Sequence, residues 1–159
     1  MAPEAVPDAP ATGTTLYPIE ARVSGGMLAL NRFLMTLQNK RMPVARFTVG
    51  RDGDSLRATI LLDCPPEQAR RYAALLSGLE DVEGLVESGE TMEVALLKAR
   101  GDGWREPAAR SGIEAHEEGG TVVASGEPAA MEAWLAQVGE YVEDLVRLGP
   151  VARPGNGGD

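Results

Sequence analysis

The sequence predicts an α+β protein of two small units in a row, on three observations. Apolar residues change period along the chain, from two in some stretches to 3.6 in others. From Tyr17 to Val86 the changes run strand, helix, strand, strand, helix, strand, the order of a ferredoxin-like split βαβ unit. From about Glu90 the order partly repeats. A chain of 159 residues has room for one compact domain or two small ones.

Tyr17, Ile19, Ala21 and Val23 alternate with Pro18, Glu20 and Arg22, as in a half-buried strand. Ser24-Gly25-Gly26 breaks the alternation. Met27, Leu30, Phe33, Leu34 and Leu37 then fall on one helical stripe running to about Lys40, and Pro43 stops that helix. Ala45, Phe47 and Val49 alternate with Val44, Arg46 and Thr48 in a second strand. The segment Gly50-Arg51-Asp52-Gly53-Asp54 is turn chemistry, and Leu56, Ala58, Ile60 and Leu62 return as the third strand of a hairpin. Pro65-Pro66 opens a second helix with Ala69, Tyr72, Ala73 and Leu76 on its stripe, ended by Ser77-Gly78. Val82, Gly84 and Val86 read as a short fourth strand. Both helices are expected on one face of the sheet, which leaves the other face for a second domain or subunit.

In the second half, Met92, Val94 and Leu96 alternate with Glu93, Ala95 and Leu97. Gly101-Asp102-Gly103 breaks this strand, and Trp104 to Arg110 has room for one or two helical turns. A hairpin follows from Ile113–Glu117, through Gly119-Gly120, to Thr121–Ala124. Pro128 to Val138 is a helix with Met131, Trp134, Leu135 and Val138 on one stripe, stopped by Gly139. Val142, Leu145, Val146 and Leu148 lie in a last extended stretch before Gly149-Pro150. The expected division is a disordered tail over 1–15, a first domain over 16–88, a second α+β domain with a shortened first helix over 90–153, and a flexible tail over 154–159.

Composition excludes several classes of function. Lys+Arg number 15 against 24 Asp+Glu, a formal charge of −9, so nucleic acid and anionic membranes are poor partners. No stretch has the apolar length of a membrane span or the pattern of a signal peptide, and a cytoplasmic location is expected. One cysteine, Cys64, and one histidine, His116, rule out an internal disulfide and a Cys/His metal cluster. Aromatics are 4% of the chain, so aliphatic residues and methionine must build the cores.

Most motifs reduce to structure. Gly101-Asp102-Gly103 lacks the downstream asparagines of a thiamine-diphosphate motif, since none occurs between Asn39 and Asn156. Asp52-Gly53-Asp54 lacks the later ligands of a calcium loop. His116 lies among Glu114, Glu117 and Glu118, with no Ser or Cys nucleophile placed beside it. Cys64 reads as a small, partly buried filler, and Trp104 and Trp134 as core or interface anchors. The acidic runs, including Glu87, Glu90 and Glu93, read as solvated. Ser24-Gly25-Gly26 keeps two readings: glycines for a tight turn, or helix-start amides open to a carboxylate.

The stretch from Tyr17 to Glu87 resembles an ACT domain, through Leu30-Asn31-Arg32-Phe33, Lys40-Arg41-Met42-Pro43-Val44 before Phe47-Thr48-Val49, and Leu79-Glu80-Asp81-Val82. Within that group it is most similar to the acetolactate synthase small-subunit family. The second half is similar to the long form of that family in Glu93-Val94-Ala95-Leu96-Leu97-Lys98-Ala99, Ser125-Gly126-Glu127, Met131 to Gly139, and Leu148-Gly149-Pro150-Val151-Ala152-Arg153.

The resemblance implies a regulatory chain with no activity and no cofactor of its own. Its partner would be an acetolactate synthase catalytic subunit holding thiamine diphosphate, magnesium and FAD, in branched-chain amino acid biosynthesis. It further implies a homodimer through the ACT domains, with a branched-chain amino acid effector such as valine at their interface. Carried over by position, the effector residues are Ser24, Gly25, Gly26 and Met27, faced by Pro43 and Val44. Valine-sensitive members carry asparagines in the first loop and before the second strand, where this sequence has Gly25 or Gly26 and Pro43. Activation is therefore expected ahead of valine inhibition. A free-standing ACT-type amino-acid sensor acting on another enzyme or transporter is the alternative.

Overall fold

A computed structural model describes residues 16–87 and 89–153, so the two expected tails lie outside the described residues. The chain divides into two compact units between Glu87 and Ser88. The first runs β1 (Leu16–Ser24), α1 (Gly26–Asn39), β2 (Val44–Asp52), β3 (Ser55–Asp63), α2 (Pro66–Ser77) and β4 (Val82–Glu87). Its sheet is antiparallel in the order β2-β3-β1-β4. Period-two alternation does what the sequence predicts on β1. Ile19, Ala21 and Val23 are fully buried against Ala29, Phe33 and Leu37 of α1 and Ala69, Ala73 and Leu76 of α2.

One strand departs from its expected alternation. Val44 lies opposite Leu62 and Arg46 opposite Leu61, so Ala45 is an extra residue in a β-bulge. The bulge turns Ala45 outward, while Val44 and Phe47 pack on the core. The face of the sheet away from the helices is ionic. Arg22 and Arg57 share the Asp52 carboxylate at 2.8 and 3.0 Å, and Ser55 donates to Glu83 at 3.0 Å. That face is not bare, because Thr59 and Leu61 on β3 are buried in its middle.

The second unit runs β5 (Thr91–Ala99), α3 (Arg105–Ser111), β6 (Glu114–Glu118), β7 (Thr121–Gly126), α4 (Pro128–Val138), a 3-10 turn (Gly139–Tyr141) and β8 (Val142–Ala152). Strand order is β6-β7-β5-β8, the plan of the first unit repeated in full. The shortened first helix is present as seven residues. Ala95, Leu97, Val122 and Ala124 meet Trp104, Met131, Trp134 and Val138 in the core. Both tryptophans anchor it, and the Trp134 indole N–H donates to the Trp104 carbonyl at 3.2 Å. A Cβ on Gly126 would lie 2.5 Å from Cδ1 of Ile113, so the end of that side chain would have to shift to admit one.

Glu93 corrects the expectation of a solvated acid, being 1% exposed. The strand period puts it on the helix-covered face with Ala95 and Leu97. Its carboxylate accepts Nε and Nη2 of Arg147 at 2.6 and 3.1 Å, and Nη1 of the same guanidinium reaches Glu132 of α4 at 2.9 Å. Burial pulls the Arg147 pKa down, but hydrogen bonds and the charges of Glu93 and Glu132 outweigh it and hold the group above the ordinary arginine value.

Candidate functional site

The loop joining β1 to α1 is the candidate effector site. Gly25 caps α1 with φ of 100° and Gly26 follows at 67°, backbone conformations that favour glycine. Neither supplies a side-chain cap, so no side chain of the cap residue takes the first-turn amides of α1. Met27 and the neighbouring Leu28 are strongly exposed at the head of the helix.

Ser24 does not match the expectation of an open amide. Its N–H donates to the Asp81 carbonyl at 2.8 Å, and its hydroxyl reaches the same oxygen at 3.4 Å. The amides left to a ligand are therefore those at and after Gly25. Asp81 also brings a carboxylate to this place, with Oδ1 3.8 Å from where a Cβ on Gly25 would lie. Arg32, two turns into α1, holds that carboxylate with both nitrogens, Nε to Oδ2 at 2.8 Å and Nη2 to Oδ1 at 2.9 Å. The hydrogen bonds and charge of Asp81 raise the Arg32 pKa in turn. Arg32 and Asp81 both stand in stretches that carry the family resemblance. Their pairing across 49 residues had no local signal.

Pro43 and Val44 are half-buried at the start of β2. The Pro43 carbonyl accepts the Asp63 N–H at 2.8 Å. Val44 lies opposite Leu62, which lies opposite Tyr17, whereas Ser24 pairs with Ser55 at the far end of the same ladder. Seven residues of strand, about 23 Å at 3.3 Å each, separate the two ends. One chain does not bring Ser24, Gly25, Gly26 and Met27 to Pro43 and Val44.

Elsewhere the chemistry is sparse. Burial and the neighbouring Asp63 push the Cys64 thiol pKa up, away from nucleophilic use. His116 is exposed beside Glu118 at 3.7 Å. Among the described residues no group of three or more His, Cys, Asp and Glu is placed to hold a metal ion, and no helix is long and apolar enough to cross a membrane. A shallow cavity of about 390 Å³ lies on the ionic face between β1 and β4, lined by Glu20, Arg22, Glu83, Gly84 and Val86, away from the β1–α1 loop.

No protein-family model matches the sequence, and no curated protein matches it. Among solved structures, the acetolactate synthase small subunit from Thermotoga maritima superposes with a TM-score of 0.67 at 15% identity, over 86% of this chain and 95% of that one. An unknown protein from Galdieria sulphuraria gives a TM-score of 0.39 at 14% identity, over 85% and 98%. At such identity the first likeness shows the fold: this chain has the mixed α+β architecture of that small subunit, with two four-stranded antiparallel sheets and four helices.

Proposed function

We propose that this chain is a non-catalytic regulatory subunit that binds and activates a thiamine-diphosphate-dependent acetolactate synthase catalytic subunit in the cytoplasm. The observation that carries the proposal is the superposition on an acetolactate synthase small subunit, which spans nearly all of both chains. Thiamine diphosphate, magnesium and FAD would sit on the catalytic partner.

A homodimer through the first unit is part of the same proposal. Helix α1 has two apolar stripes on opposite sides. Ala29, Leu30, Phe33 and Leu37 are buried, while Met27, Leu28, Leu34 and Met35 are exposed. Val49, on the edge strand β2, is exposed as well. A second copy on this side would cover the outer stripe. It would also supply Pro43 and Val44 to the other copy's Gly25, Gly26 and Met27, which one chain cannot do alone. Amides after Gly25 would receive the carboxylate of a branched-chain amino acid, and Met27 and Val44 its side chain. Pro43 has no N–H to add, so activation without strong valine inhibition is the expected behaviour.

The test is a pull-down from native lysate with tagged chain, followed by an acetolactate assay with and without valine. Recovery of a large thiamine-dependent subunit, with activity rising when the chain is added, is the expected result. Recovery of no such subunit, with activity unchanged, would overturn the proposal and leave a free-standing sensor as the better account.

A further inference from the structure

We infer that the second unit carries a self-pairing edge: β8 adds to β8 of another copy, antiparallel about a twofold axis at Val146. The inference does not rest on the acetolactate proposal or on the β1–α1 loop.

Among the described residues four strands are sheet edges, and each carries features that discourage pairing, to different degrees. β2 is bulged at Ala45 and carries Arg46, Arg51 and Asp52. β4 has six residues, with Glu83, Gly84 and Glu87 among them. β6 has five, four of which are Glu114, His116, Glu117 and Glu118. β8 carries Glu143, Asp144, Arg147 and Pro150, yet it is the longest of the four at eleven residues and exposes Val146 at 49% and Leu148 at 51%.

Two irregularities bound the regular part of β8. Lys98 lies opposite Asp144 and Ala99 opposite Val142, which leaves Glu143 as an extra residue. Val94 lies opposite Leu148 and Met92 opposite Val151, so Gly149 and Pro150 form a second bulge. The regular ladder is therefore Asp144–Leu148, and its midpoint is Val146. The phase of the outer hydrogen bonds is set as well. The Leu145 N–H donates to its neighbour's Asp144 carboxylate at 2.9 Å, so it points away from β5 and toward the open edge.

Register follows from parity and charge. An antiparallel twofold pair keeps each face continuous only if its axis passes through a residue, not between two. An axis at Asp144 sets two carboxylates directly opposite, and one at Arg147 sets two guanidinium groups opposite. An axis at Leu145 draws the Glu143 bulge into the ladder. An axis at Val146 leaves both bulges outside and pairs Leu145 with Arg147, whose outward groups exchange hydrogen bonds once the Leu145 N–H gives up the Asp144 carboxylate. It also sets Val146 against Val146 and Asp144 against Leu148. The aliphatic face made by Met92, Val94, Leu96, Val146 and Leu148 then runs across the junction without a break.

The test is cysteine cross-linking on the purified full chain, with no catalytic subunit or amino acid present. In the proposed register Val146 forms a non-hydrogen-bonded pair with its own copy, at a Cα separation of about 4.5 Å, within disulfide reach. Val146→Cys should form a covalent dimer under mild oxidation at least roughly tenfold faster than Asp144→Cys, which sits about 14 Å from its copy. The double variant Asp144→Cys/Leu148→Cys should cross-link, while the wild type, with only buried Cys64, should not. Val146→Lys in the Asp144→Cys/Leu148→Cys background should abolish the cross-link while circular dichroism stays unchanged. Equal rates for Val146→Cys and Asp144→Cys would overturn the inference. The acetolactate proposal would be untouched by that result, just as a failed pull-down would leave this one standing.

Discussion

Glu93 and Arg147 place an ion pair beside an apolar core, where breaking the pair costs more than the pair itself contributes. Arg147→Met leaves the Glu93 carboxylate buried without its principal counter-charge, and we expect a loss of about 3 kcal/mol, read as a lower urea midpoint at constant slope. Glu93→Met/Arg147→Met should lose less than Arg147→Met alone, since no charge is then stranded. Half of this feature was legible. Period two sets Glu93 on the face of Ala95 and Leu97, but its residue type argues for water. The partner that resolves the conflict lies 54 residues away and leaves no local trace.

At the scale of elements, the β1–α1 junction shows why two adjacent glycines are not equivalent. A Cβ on Gly25 would lie 3.1 Å from Cβ of Ala29 at φ of 100°, whereas one on Gly26 meets nothing within 4 Å. Gly25→Ala should therefore cost about 1–3 kcal/mol and Gly26→Ala about 1–2, measured by denaturant unfolding. The Asp81–Arg32 pair should survive Gly25→Ala, since the new Cβ would meet Asp81 Oδ1 at an ordinary contact distance of 3.8 Å. The loop itself was legible, because Gly-Gly between a period-two and a period-3.6 stretch has few other uses. The Asp81 carboxylate beside it was not, since only the return of β4 alongside β1 carries it there. The bulge at Ala45 was hidden for the same reason. Alternation in one strand cannot reveal a residue that its partner strand skips.

For the whole molecule, two cores and two separate sheets predict two unfolding events. Scanning calorimetry should resolve two transitions, and Trp134→Ala, which empties a fully buried site in the second core, should lower only one of them by the equivalent of about 3–5 kcal/mol. A single transition lowered as a whole would show that the units unfold together. Strand and helix order in both halves was legible from periodicity alone, even the short α3. That β8 continues to Ala152 was not, because Gly149 and Pro150 read as an end and are instead a bulge.

The repeated plan also bears on how the chain is born. The sheet of the first unit is complete at Glu87 and draws on no later residue. Translation at about 5–20 residues per second leaves a few seconds between the synthesis of β4 and that of β8. During that interval the first central strand has its own neighbours on both sides. β5, the matching strand of the second unit, follows β4 by only a few residues, and both neighbours of β1 are made before it. The order of synthesis therefore favours pairing within each half over exchange of strands between them.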